Sequence, residues 1–147
     1  MKIINRLLLI LHGFVGLGAM GGGMMAILNP DGPGGMAVDV LKNSPFSNFL
    51  IPGIILFAVI GLGNIFSSIT VLLKSKYQGY ISSVFGWALV IWIIVQCIML
   101  QMVIYLHVIF FTIGLVQAIL AMIILFKNNL FPANIILRIY NGVKKDM

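Results

Sequence analysis

The sequence predicts an all-α, polytopic membrane protein in which four transmembrane helices form a bundle. The first observation is composition, because 61% of the residues are hydrophobic and 8% are charged, whereas soluble domains carry about a quarter charged residues. The second is a set of four apolar stretches, each long enough for the about 20 residues that cross a bilayer. The third is the distribution of basic residues, which fall almost entirely on one side of the predicted bundle. We therefore expect a single membrane domain with lipid as its main solvent.

The predicted spans cover residues 7–28, 50–73, 80–100 and 107–126. The first is uncharged and ends at NPDGPGG, whose Pro and Gly residues predict a turn. The second begins near Pro52, where the missing N–H costs little in a first helical turn. Residues 80–126 are uncharged and too long for one helix, so we place a turn near Gln101 and His107, which interrupt the apolar pattern.

Basic residues orient the predicted bundle. Eight precede span one, join spans two and three, or follow span four: Lys2, Arg6, Lys74, Lys76, Lys127, Arg138, Lys144 and Lys145. Lys42 alone lies at the other end, beside Asp31 and Asp39. By the positive-inside rule we expect a multi-pass protein of the cell (inner) membrane with both termini in the cytoplasm. The alternative of a cleaved signal peptide, with AMG at 19–21 as its site, is disfavoured because residues 7–28 exceed the usual apolar segment of about 7–15 residues.

The stretch GLGAMGGG at residues 16–23 matches the G-x-G-x-x-G fingerprint of dinucleotide-binding turns. That fingerprint needs a strand before the glycines and a helix after them, and here the glycines lie inside an apolar span. In lipid, small residues instead let helix backbones approach closely. We predict helix packing at Gly18 and Gly22 of span one, in a ridge that Ala19/Gly23 and Gly22/Ala26 extend, and at Gly63 and Ser67 of span two. The contact is within the chain by default or with a second copy.

Polar residues at membrane depth are the candidate site. Asn64, Trp92 and Gln117 lie about 14–18 Å into their spans, counted at about 1.5 Å per residue. They predict a hydrogen-bonded layer that joins helices, or a pocket that also includes Gln96. His12 is placed about 9 Å into span one, and we interpret it as a hydrogen-bonded packing residue.

The sequence offers no recognisable catalytic, cofactor or metal site. The spans contain no Asp or Glu for a proton relay, and the two histidines are too few and too far apart for a metal centre of three or four ligands. Cys97 is the single cysteine, so neither an internal disulfide nor a redox pair can form.

The two segments outside the spans differ in character. Residues 29–49 form a loop with a Gly–Pro turn, long enough to cover a site at that end. Residues 127–147 place Ile135, Ile139 and Val143 on one helical face and basic residues opposite. This pattern predicts an amphipathic interfacial helix that binds anionic lipids of the bilayer, and no pattern indicates nucleic acid.

The stretches HGFVGLGAMGGG, LNPDG, SPFSNFLIPGIILFAVIGLGN and GWALVIWIIVQ, taken in this order, resemble a family of small, uncharacterised four-span bacterial membrane proteins. The resemblance covers about His12 to Phe126 and implies the same architecture without an activity. In layout only, the chain is also similar to DoxX-like four-helix proteins, some of them linked to quinone-coupled sulfur oxidation. Such proteins would imply redox chemistry, but the cysteine pair that could carry it is missing here.

Two functions follow as hypotheses. The first is a non-enzymatic accessory or structural role through helix contacts, with a homo-oligomer or another membrane protein as partner. The second is binding or transport of a small apolar molecule, such as a quinone or a lipid, in an intramembrane pocket near Trp92, Gln96 and Gln117. A membrane enzyme is the weakest hypothesis because no nucleophile–base pair can be assembled.

Overall fold

The computed structural model describes residues 1–147, except for the side chain of Asp146. Within this described part, all regular structure is helical, which confirms the all-α fold. Four of the described helices are long and apolar enough to span a membrane: α1 (Lys2–Leu28), α2 (Leu50–Leu72), α3 (Gln78–Leu100) and α4 (Tyr105–Lys127). A further helix, α5 (Ala133–Asp146), follows at the C-terminus.

Short turns force α3 to run antiparallel to α2 and α4 antiparallel to α3. Helix α1 is antiparallel to α2 as well, because Gly16 meets Ile65 whereas Gly23, later in α1, meets Phe57, earlier in α2. Lys74 and Gln101 adopt the left-handed conformation, at φ 52° and 51°, and stop α2 and α3 respectively. The N-terminus, the α2–α3 turn and α5 therefore share one end of the bundle, which we call the basic end. The loop between α1 and α2 and the α3–α4 turn form the opposite, loop end. The loop contains two short 3₁₀ segments, Pro33–Gly35 and Val38–Leu41.

Helices α1 and α2 pack closely at Gly23, which is on the predicted ridge, and at Gly16, but not at the predicted pair Gly18 and Gly22. A Cβ on Gly23 would lie 2.7 Å from the Phe57 nitrogen, and one on Gly16 would lie 2.6 Å from Ile65. A Cβ on Gly18 or Gly22 would meet only side-chain atoms, at 3.6 and 3.5 Å, which is ordinary contact. The closest approach of α1 to α2 therefore lies on a neighbouring face of α1.

The predicted pair on α2 is enclosed by the bundle. Gly63 packs directly against the ring of Phe85 on α3. Ser67 is fully buried, and its hydroxyl donates to the Gly63 carbonyl of its own helix at 3.1 Å.

Helix α2 contains a π-helical segment, Leu56–Leu62. Such segments are rare and occur often at functional sites. At its end, the Ile60 carbonyl accepts both the Gly63 N–H and the Asn64 side-chain amide, the latter at 2.8 Å. The Asn64 side chain thus stabilises a carbonyl where the regular helical hydrogen bonds change register.

Candidate functional site

A polar cluster joins three helices near the middle of the bundle. His12 of α1, Asn64 of α2 and Gln117 of α4 are each fully buried. His12 Nδ1 lies 2.7 Å from Asn64 Oδ1, and Gln117 Nε2 lies 3.3 Å from the same oxygen. Buried polar groups in lipid are stable only when paired, so this cluster fixes the rotation of all three helices.

The hydrogen bonds of Asn64 determine the tautomer of His12. Because the Asn64 amide nitrogen donates to the Ile60 carbonyl, its Oδ1 is the atom that faces His12. His12 Nδ1–H therefore donates to this oxygen. Gln117 Nε2 donates to the same oxygen at 3.3 Å and also lies 3.1 Å from His12 Nδ1. In the neutral ring the other nitrogen, Nε2, is then an acceptor, and the described residues offer it no partner.

The structure brings Asn64 and Gln117 together, as the predicted layer requires, but Trp92 makes no hydrogen bond to either of them. The indole N–H of Trp92 has no hydrogen-bond partner among the described side chains and backbone atoms. His12 occupies the predicted place of Trp92 in the layer. Because α1 begins at Lys2, His12 is ten residues into the helix, about 15 Å deep, and not the about 9 Å counted from residue 7.

Trp92 instead lines a cavity of about 400 Å³ in the loop-end half of the bundle. Gln96, one turn further along α3, lines it too, whereas Gln117 is not among the lining residues. The pocket predicted near three residues thus contains two of them. Nearly all of the remaining wall is apolar and includes Ile60, Leu89 and other side chains from all four spanning helices.

The side of the cavity formed by α1 consists largely of small residues. Gly18, Ala19, Gly22 and Ala26 all line it, at spacings of three and four residues that keep them on one helical face. Their missing side chains leave the space that a Leu or Phe ridge would fill. The predicted small-residue pair Gly18 and Gly22 therefore borders an empty volume.

The loop covers one end of the cavity. Pro33, Gly34 and Phe49 are among the lining residues. Leu41, with 1% of its surface exposed, packs with Phe49 and Leu100 and holds the loop against the bundle. This matches the loop position expected of a cover.

The exposed part of the lining shows where the cavity opens. Met25 on α1 is 54% exposed and Leu106 on α4 is 42% exposed, and both line the cavity. The lining residues Ile60 and Leu89, on the α2 and α3 side, are 1% and 2% exposed. Exposed lining residues also occur in the loop, at Met36, and in the α3–α4 turn, at Met102. The mouth therefore lies between α1 and α4 on the outer surface of the bundle and extends to the loop end.

His107 lines the cavity and has a structural contact too, whereas Cys97 does not line it. His107 is buried at the start of α4 and accepts the backbone N–H of Ile104, at 3.3 Å, through its Nδ1. Cys97 is a free, half-buried cysteine on α3. Over the described residues, no group of three or more His, Cys, Asp or Glu side chains could hold a metal ion.

No family model, curated protein or solved structure matches this chain. The resemblance to small four-span bacterial proteins therefore stays a prediction, and function has to be argued from the cavity and the polar cluster.

Proposed function

We propose that this protein binds a small apolar molecule with a hydrogen-bond acceptor, such as a quinone or a carbonyl-bearing lipid, in the loop-end cavity. The observation that carries the proposal is an apolar cavity lined by Trp92, whose indole N–H is buried without a partner in the described structure. The ligand would reach the cavity from the bilayer, through the mouth between α1 and α4.

Size and chemistry both support a ligand. Small-molecule sites are concave, mostly apolar and about 300–1,000 Å³ in volume, with few polar groups. A buried donor left unpaired costs about 1–3 kcal/mol, so a ligand carbonyl that accepts from Trp92 would recover part of this cost. Gln96 adds a second polar side chain to the same wall.

The accessory role through helix contacts is the second candidate. It depends on small residues that are free to meet a partner helix. The glycine contacts at Gly16, Gly23, Gly61 and Gly63 are made inside the bundle. On α1, Gly18 and Gly21 are exposed, but Gly18 borders the cavity. Gly21 alone of these two has nothing within 4 Å of a Cβ built on it and does not line the cavity, which is less support than the cavity offers for binding.

The orientation in the membrane is part of the proposal. The basic end carries eight basic residues and both termini. By the positive-inside rule, this end faces the cytoplasm, with the protein in a bacterial inner membrane. Cysteines introduced at Lys76 and Lys145 should react with an impermeant thiol reagent from the same side, and one at Lys42 from the opposite side.

Tryptophan fluorescence can test the binding directly. The chain has two tryptophans, and Trp87 is 48% exposed, so Trp87→Phe leaves Trp92 as the only reporter. We expect 2,3-dimethyl-1,4-naphthoquinone, titrated into the protein in lipid nanodiscs, to quench Trp92 saturably. A linear quenching curve would mean only collisions with quinone dissolved in lipid.

Two leucine substitutions on α1 provide the matched comparison. Gly22→Leu puts a side chain into the cavity and should abolish saturable quenching, whereas Gly21→Leu points away and should leave it unchanged. If Gly22→Leu does not fold, Gly18→Val tests the same wall. Equal saturable quenching in all variants would refute binding in this cavity.

A further inference from the structure

The C-terminal helix α5 has an apolar face that the bundle leaves uncovered. Five residues form it, each 49–64% exposed: Ile135, Ile136, Ile139, Tyr140 and Val143. The helix is attached to the bundle at its first turn, where Ala133 is fully buried. Beyond that turn, these large apolar side chains need another environment to cover them.

Basic residues flank this face on both sides. At about 100° per residue, the five apolar residues span an arc of roughly 140°. Lys144 lies just beyond the Tyr140 edge of the arc and Arg138 just beyond the Ile135 edge, and both are exposed. Apolar residues between cations suit a membrane surface, because acyl chains lie beneath the charged headgroups.

The rest of the basic end reinforces this charge. Five more exposed cations belong to it: Lys2, Arg6, Lys74, Lys76 and Lys127. A second copy of the chain could cover the apolar face, but two such ends would meet with the same sign of charge. Anionic headgroups complement it instead.

We propose that α5 docks on an anionic lipid surface at the basic end, with its apolar face among the acyl chains and with Arg138 and Lys144 on lipid phosphates. This docking does not depend on a ligand in the cavity. It makes the C-terminal helix a second, lipid-recognising surface of the protein.

Spin labels on two faces of α5 test the proposal in the full-length protein. In a Cys97→Ala background, one label replaces Ile139 on the apolar face and another replaces Asn141 on the polar face. Both proteins are placed in nanodiscs of phosphatidylcholine alone or with about a quarter phosphatidylglycerol. We expect the label at position 139 to be shielded from a water-soluble relaxation agent and exposed to oxygen in the anionic nanodiscs, while the label at 141 stays in water.

A variant of α5 without its basic residues tests how much charge contributes to docking. Replacing Arg138, Lys144 and Lys145 by Gln should weaken the docking equilibrium on the order of 100-fold, at about a factor of 5 per basic residue. Three outcomes would overturn the proposal. They are a solvated label at position 139 in anionic nanodiscs, immersion that is equal with and without anionic lipid, and protection that increases with protein density, as in contact between copies.

Discussion

Replacing Asn64 by Leu is expected to destabilise the bundle by about 2–4 kcal/mol. The side chain makes three hydrogen bonds, to His12, Gln117 and the Ile60 carbonyl. The bonds to His12 and Gln117 are interhelical, and such bonds in a membrane contribute about 0.6 kcal/mol each on average, which gives about 1 kcal/mol for the two. Leu also removes the acceptor of His12 Nδ1–H. If Gln117 Nε2 then donates to His12 Nδ1, which is 3.1 Å away, the ring proton moves to Nε2, which has no partner among the described residues. Either way one buried donor is left unsatisfied, at a cost of about 1–3 kcal/mol.

The measurement is the free energy of unfolding by steric trapping in bicelles. Ser67→Ala is the matched control, because Ser67 is equally buried one turn further along α2 but donates only within its own helix, to the Gly63 carbonyl. We expect this control to change stability by less than about 0.5 kcal/mol, since such local hydrogen bonds add little. A loss for Asn64→Leu no larger than that of Ser67→Ala would refute the claim that the polar cluster ties the helices together.

Two further substitutions test the packing and the loop. Gly23→Ala should lower the free energy of unfolding by about 1–3 kcal/mol, because its Cβ meets the backbone of α2 at 2.7 Å. Gly21→Ala is the control and should not lower it, because the Cβ there has no neighbour within 4 Å. Equal stabilities of the two variants would contradict the described packing. Leu41→Ala should free the loop from the bundle at a cost of about 2 kcal/mol, seen as about 30-fold faster amide hydrogen exchange at residues 38–44. Leu28→Ala, at an exposed position, is the control, and unchanged exchange in Leu41→Ala would show that Leu41 does not hold the loop.

Fold and membrane spans could be predicted because lipid imposes a simple rule on the sequence. Each span must satisfy its own backbone and present about 20 apolar residues. The helical turns at the ends of the spans, beyond those apolar residues, do not depend on this rule. Lys2 and Arg6 carry long side chains that can extend toward water while the helix continues beneath them, so α1 begins at Lys2 and not at residue 7. Counted from the observed start of α1, His12 lies about as far from the basic end as Asn64 does.

Which face a residue occupies was harder to predict than its depth. In α1 several pairs of glycines have helix-packing spacing, and spacing alone does not say which pair meets α2. In α2 the π segment widens the helix and rotates the residues after it relative to a regular helix. A period of about 3.6 residues per turn therefore could not assign the faces of Leu56–Leu62 and beyond.

The cavity could not be predicted from the sequence because residues from four helices and a loop enclose it together. The sequence did identify Gln96 and Trp92 as residues deep in the membrane that can form hydrogen bonds, and both line the cavity. The volume itself depends on the small residues Gly18 and Gly22 facing inward beneath the loop. The sequence pattern predicted helix contacts for these residues, because small residues can either let helices pack closely or border a cavity.

Native mass spectrometry of the intact protein, released from nanodiscs that contain dimethylnaphthoquinone, tests the binding claim most directly. We expect a one-to-one adduct in the wild-type protein and in Gly21→Leu, and its loss in Gly22→Leu. An adduct of equal abundance in Gly22→Leu, or none in the wild-type protein at saturating quinone, would contradict the binding claim.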